Sequence, residues 1–159
     1  MATKNEIESL GKFWENCHQN SIGTLLTGST LKELVELHNL AEIIPQIKTV
    51  LNIGVGFGIC TRSWVDIGKE VSVLDISKIA IDKVKDVARG YLSSNKAEIP
   101  SNYFDLAISH LVSQHISNAE LQDQITNVVR SLKPDGIFSL HNATHPSSPV
   151  PPYSQDLND

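Results

Sequence analysis

Val50-Leu51-Asn52-Ile53-Gly54-Val55-Gly56-Phe57-Gly58 sets an apolar run directly ahead of three alternating glycines. The run, extended back to Thr49, reads as a buried strand. The glycines let the backbone turn tightly and approach a ligand closely. Amides at the start of the next helix can then face polar ligand atoms. A nicotinamide or flavin fingerprint needs G-x-G-x-x-G, which would put glycine at position 59. That position holds Ile59, and the spacing is G-x-G-x-G.

Downstream of the loop, Ile59 to Ile67 is long enough for a helix, closed by Gly68. Val71-Ser72-Val73-Leu74-Asp75 reads as a second strand. A carboxylate at its end can accept hydrogen bonds from both hydroxyls of a ribose. Ser77 caps a further helix, with an inward stripe of Ala80, Val84, Val87 and Tyr91. Its outer face carries Lys78, Asp82, Lys85, Asp86 and Arg89. Tyr91-Leu92-Ser93 is a weak third strand, and Phe104 to Ser109 a clearer fourth. Ser117 and Glu120 form a capping box, with Leu121, Ile125, Val128 and Leu132 following at helical intervals. Pro134-Asp135-Gly136 turns the chain into Ile137-Phe138-Ser139-Leu140, a fifth strand.

Upstream, Phe13, Trp14 and Cys17 recur at helical spacing before a glycine-flanked loop, Gly23 to Gly28. Thr30 and Glu33 make another capping box, ahead of Leu34, Leu37, Ala41 and Ile44, with Pro45 as the stop. Strands alternating with helices at this spacing imply an α/β fold. The expectation is a Rossmann-like, doubly wound, mostly parallel sheet of about five strands with helices on both faces. Ligands of such sheets bind beyond the carboxyl ends of the strands. The division expected is an N-terminal helical cap or lid over 1–46, a cofactor-binding core over 47–145 and a proline-rich tail over 146–159.

Composition bounds the partners. With 13 basic and 18 acidic side chains, the net charge is −5, which offers phosphate backbones no general attraction and disfavours nucleic acid. No apolar run reaches the roughly 18–20 residues that span a bilayer. Cys17 and Cys60 match no zinc or redox spacing, and a reduced, cytoplasmic setting is the simplest reading. No His, Asp, Glu or Cys group has metal-ligand spacing along the chain, so no metal is expected.

Four segments together resemble the class I S-adenosylmethionine-dependent methyltransferases. Residues 50–58 are similar to that family's first motif, and Val73-Leu74-Asp75-Ile76-Ser77 to its acidic strand end. Asn95 to Pro100 with Tyr103 to Ser109 resembles the run from the adenine loop into the fourth strand. Leu132-Lys133-Pro134-Asp135-Gly136 is similar to the turn before the fifth. The resemblance implies methyl transfer from S-adenosylmethionine to a small-molecule acceptor, with S-adenosylhomocysteine as product.

It further implies that Gly54, Val55, Gly56 and Gly58 lie beneath the methionine portion and that Asp75 holds the ribose. Ile76 would pack on the adenine, Asn95 and Ala97 would approach its edge, and Ser109 with His110 would line the floor beside the sulfonium. Asn52 and Asn95 stand where the family usually has acids, so neither brings charge toward the cofactor. The family's sheet also ends in an antiparallel pair of strands, and nothing after His141 reads as one. Strand five is then expected to be an open edge: either the chain is a fragment, or a second copy or a partner completes the sheet.

His110 and His141 fall just past the ends of strands four and five. Each is a candidate general base, set against the plainer reading of a pocket-lining or solvated ring. His115 reads as structural and His145 as solvated. Trp14 and His18 fit either a lid or an ordinary packing helix, and Cys60 either a thiol of lowered pKa or a small buried side chain. The rival functions are a non-catalytic nucleotide-binding module and, third, a nicotinamide-dependent oxidoreductase.

Overall fold

A computed structural model describes residues 4–20 and 30–141 of the chain. Five strands form one sheet: β1 (Thr49–Ile53), β2 (Glu70–Asp75), β3 (Arg89–Leu92), β4 (Phe104–His110) and β5 (Leu132–His141). Their order is β3-β2-β1-β4-β5, and all four pairings are parallel. The helices are α1 (Lys4–Asn20), α2 (Leu31–Leu37), α3 (Ile59–Asp66), α4 (Lys78–Asp82) and α5 (Asn118–Ser131). No helix among the described residues is long and apolar enough to cross a membrane.

Every residue of β1 is buried, as a central parallel strand covered on both faces requires. Side-chain alternation sorts the core into two layers. Val50, Val73, Leu106 and Ile108 pack on one face with Leu34 of α2, Trp64 of α3 and Ala80 of α4. Leu51, Ile53, Leu74 and Ala107 pack on the other with Val128 of α5 and Ile99. The α/β expectation stands, with a sheet that is wholly parallel among the described residues. No antiparallel strand follows β5 there, and β5 pairs with β4 alone. The 146–159 segment and His145 lie outside the described residues, as does the loop from Gly23 to Gly28.

Several local expectations need correction. The Thr30 capping box forms as read, but α2 ends at Leu37 rather than running on to Ile44. Asn39 adopts φ 53°, a left-handed value that short polar side chains tolerate, and it reverses the chain so that Leu40 is buried. Leu37 and Ala41, expected on the inner face, are exposed. Pro45 then sits in the first turn of a 3₁₀ helix, Ile44–Gln46, instead of stopping a longer one.

Ser77 caps α4, its hydroxyl accepting from the Ala80 N–H. The helix lasts only to Asp82, and Arg89 and Tyr91 belong to β3. β3 packs directly on the helix: a Cβ at Gly90 would lie 2.1 Å from Ile81 Cγ2.

On α5, Ser117 accepts from the Glu120 N–H, but the Glu120 carboxylate does not return the bond. It turns inward to Lys96 Nζ at 3.1 Å. The buried positions of α5 are Glu120, Gln124, Val128 and Ser131, a largely polar stripe, whereas Leu121 and Ile125 are only half-buried. Leu132 opens β5 rather than extending the helix.

Candidate functional site

From β1 the chain winds outward through β2 and β3 in one direction, and through β4 and β5 in the other. Strand order therefore reverses between β1 and β4, and a crevice opens beyond their carboxyl ends. A cavity of about 170 Å³ occupies it. Its walls include Asn52, the Gly54-Val55-Gly56 turn, Asp75 and Ile76, with His110 at the end of β4. A wider depression of about 540 Å³ lies at the opposite, amino end of β2, between Lys69, Glu70, Arg89 and Tyr103. No glycine loop is among the residues that border it.

The glycine loop holds its shape for steric reasons. Gly54 has φ 81°, a conformation that costs an L-residue about 1–2 kcal/mol, and a Cβ there would meet Val112 Cγ2 at 2.3 Å. Asp75 ties the loop to β2. One carboxylate oxygen accepts from the Val55 N–H at 2.6 Å and the other from the Ser77 N–H at 2.8 Å. Burial pushes its pKa upward, while the N–H donors of Ser77, Val55 and Ile76 pull the other way. Asn52 is buried, and its side-chain amide donates to the Thr61 hydroxyl on α3 at 2.9 Å.

Gln124 of α5 is 3% exposed and lines the same cavity. Its Oε1 has no hydrogen-bond partner among the described residues, a deficit of about 1–3 kcal/mol unless a ligand donates to it. This orphaned acceptor, the acid at the strand end and the glycine cradle suit a nucleoside with a donor at one end and ribose hydroxyls at the other. The residues present fit such a group.

Not every expected residue reaches the cavity. Asn52, Gly54, Val55, Gly56, Asp75, Ile76 and His110 line it. Gly58 lies behind, capping α3 with φ 85°, and a Cβ there would meet Val84 at 2.5 Å. Ser109 is fully buried, and its hydroxyl lacks a partner among the described residues. Asn95 and Ala97 are exposed on the 3₁₀ segment Ser93–Glu98, and Ser93 faces the cavity in their place.

Trp14 of α1 and His115 also line the wall, their rings 5.0 Å apart. His115 was expected to be merely structural, and burial lowers its pKa. The His18 side chain lies outside the described residues. Cys60 faces the cavity as well, but burial, with a smaller contribution from Glu33, pushes its thiol up to about 11, so the activated-thiol reading fails. Glu120 and Gln124 were missed in the sequence. Their signal is two polar residues four apart, in line with Val128.

The strand-end histidines meet a third. In the β4–β5 register His110 pairs with His141, and their rings stack at 4.8 Å with an 18° tilt. His38, the residue that closes α2, brings Nε2 to 3.2 Å from His110 Nδ1. Burial, then the His141 and His38 rings, lower His110 to about 4, while Glu33 opposes them. Burial and His141 lower His38 likewise. Spacing along the chain gave no hint of this cluster. It is assembled by strand register and by the turn at Asn39.

Comparison with known proteins agrees with the geometry. Residues 51–140 match the family model described as "Methyltransferase domain". The malonyl-[acyl-carrier protein] O-methyltransferase of Salmonella typhimurium is 32% identical over 108 residues, covering 65% of this chain and 42% of that protein. Its counterpart from Buchnera aphidicola is 28% identical over 153 residues, covering 92% of this chain and 58% of its own length. The chain thus spans roughly half the length of these relatives.

Among solved structures, Burkholderia thailandensis 1,6-didemethyltoxoflavin-N1-methyltransferase superposes with a TM-score of 0.70 at 16% identity, over 88% of this chain and 64% of that one. That likeness concerns the fold alone. The family match takes in more than half of the sequence, and the chain belongs to the methyltransferase domain family, within the class I S-adenosylmethionine-dependent methyltransferases.

Proposed function

We propose that the cavity binds S-adenosylmethionine and that the chain supports methyl transfer to an oxygen of a small acceptor. The observation that carries this reading is Asp75, a buried acid fixed by the Val55 N–H in the wall that also holds the glycine turn and His110. The bound cofactor supplies a methyl group already activated by a sulfonium.

The chain's own task is therefore positioning, which can account for much of a displacement rate. Asp75 accepts from the ribose hydroxyls through lone pairs its backbone donors leave over, and Ile76 covers the base. Gly54, Val55 and Gly56 admit the methionine portion, with Gly58 and Asn52 supporting from behind. Ser109 backs the floor beside His110. Asn95 and Ala97, being exposed, reach the adenine only if their 3₁₀ segment moves, and Gln124 is the better-placed acceptor for its amino group.

The acceptor lies at the His110 and His141 end. A hydroxyl acceptor would surrender its proton to one of these rings, whereas a carboxylate needs no base. The names of the 32% and 28% identical relatives favour a carboxylate on a small acyl group, free or carried by a protein. Among the described residues β5 pairs with β4 alone, and light scattering is the direct check on whether a second copy packs against its other edge.

Titration calorimetry of the full chain with S-adenosylhomocysteine tests the binding step, and no heat at millimolar ligand would refute it. Transfer of labelled methyl to a malonyl carrier protein, or to small carboxylic acids, tests the acceptor. Binding without transfer to any acceptor would identify a non-catalytic nucleoside-binding module instead.

A further inference from the structure

We infer that His38, His110 and His141 form a site for a divalent transition-metal cation, with zinc as the best match, at the acceptor end of the cavity. The three rings come from three elements. His38 closes α2, and His110 and His141 end adjacent parallel strands.

The spacing fits a cation. His110 Nδ1 lies 3.2 Å from His38 Nε2 and 3.2 Å from His141 Nδ1, and one ligand atom from each ring lies within 4.8 Å of the other two. Zinc–nitrogen bonds of about 2.0–2.1 Å at the tetrahedral angle separate ligand nitrogens by about 3.4 Å. Two of the three separations are already there. The His110 and His141 rings, stacked 18° from parallel, must turn so that their in-plane lone pairs converge, and the third nitrogen must be drawn in.

Hydrogen bonding alone serves the cluster poorly. His110 Nδ1 carries one proton or one lone pair, yet it faces two other ring nitrogens at the same distance. Only one of those contacts can be a full hydrogen bond. A cation between the rings uses all three lone pairs at once.

The surroundings agree. His38 Nδ1 lies 2.6 Å from the Ser139 hydroxyl on β5. A ligating histidine usually donates its other ring N–H to such a partner, which fixes its tautomer. Half-buried imidazoles suit zinc, copper, nickel and cobalt better than magnesium or calcium.

Three protein ligands leave a fourth position for water or a substrate oxygen, the pattern of catalytic rather than structural zinc. His110 is also a wall of the cavity, which places that position at the acceptor end. This last point rests on the methyl-transfer reading, whereas the metal site does not. A ring nitrogen bound to a cation accepts no proton, so occupancy would make His110 a ligand rather than a base.

The test uses the full chain, free of any affinity tag and of cofactor. Titration with Zn²⁺ should give one ion per chain at micromolar affinity or tighter. Co²⁺ should give the intense visible absorption of a tetrahedral nitrogen site. His38→Ala, His110→Ala and His141→Ala should each weaken Zn²⁺ binding at least tenfold, and His115→Ala should not. Because a histidine variant could fold poorly, the Zn²⁺-dependent rise in melting temperature is followed as well, with His38→Gln retaining the fold without the rise.

Absence of Zn²⁺ binding by the unaltered chain at about 100 μM would overturn the assignment, as would binding undiminished in His110→Ala. Zn²⁺ binding without S-adenosylhomocysteine binding would keep the metal site and discard the proposed function. The converse would do the opposite.

Discussion

The Asp75 carboxylate accepts the Val55 N–H at 2.6 Å, joining the end of β2 to the turn after β1. Its other oxygen accepts from Ser77 at 2.8 Å, so one side chain fixes both strand ends that frame the cavity. Asp75→Asn can replace only one of these acceptors, since its NH₂ would confront a backbone N–H. We expect a loss of about 1–3 kcal/mol of stability and at least tenfold weaker S-adenosylhomocysteine binding. Thermal melting and calorimetry check the two effects. Unchanged affinity would remove Asp75 from the ribose site.

Gly54→Ala carries two penalties that can be measured apart. The positive φ costs about 1–2 kcal/mol, and the new Cβ meets Val112 at 2.3 Å, for which overpacking adds about 1–3 kcal/mol. Gly68 has the same φ of 81° with nothing within 4 Å of its Cβ position, so Gly68→Ala bears the first penalty alone. Denaturant midpoints should place Gly54→Ala well below Gly68→Ala. Because Val112 also lines the cavity, only Gly54→Ala should weaken ligand binding.

The sheet was legible in the sequence because a buried parallel strand is a short apolar run whatever its surroundings. Thr49–Ile53 is entirely buried and was read as such. Legibility failed where a residue's role depends on a distant neighbour. The close packing of Gly90 on Ile81 of α4 is a contact that no local window contains. Glu120 has the form of a capping-box acid, but its carboxylate goes to Lys96. His110 and His141 were placed at strand ends from sequence, yet only the register of β4 on β5 sets their rings together. His38 joins them through a turn at Asn39 that periodicity does not disclose.

Lys96 anchors the 3₁₀ segment to α5 from a nearly buried position. Its Nζ contacts Glu120 at 3.1 Å and Asp123 at 2.9 Å, and donates to the Ser93 carbonyl at 2.9 Å. Removing one partner of a buried pair costs about 3–5 kcal/mol, because the other charge is left without compensation. Lys96→Met should approach that loss. Lys96→Met combined with Glu120→Gln should recover a good part of it, which a double-mutant cycle by urea unfolding measures. Simple additivity of the two losses would show that the ion pair is not the coupling.

Asp105 pins the amino ends of β1 and β4 on the side of the sheet away from the cavity. Burial alone would raise its carboxyl pKa, but a 2.7 Å ion pair with Lys133 and the N–H groups of Thr49 and Lys48 outweigh burial. They hold it well below the ordinary carboxylate range. A carboxyl whose folded pKa is depressed stabilises the fold above its unfolded pKa of about 3.9, and that contribution fades as pH falls below it. The chain should therefore lose stability in acid from about pH 4 downward. Asp105→Asn should be less stable by about 2 kcal/mol at pH 7, the scale of a hydrogen bond to a charged group, with the gap to the unaltered protein narrowing at about pH 2–3. Urea midpoints measured across that range test the sign, since a gap that widens in acid would contradict a depressed Asp105.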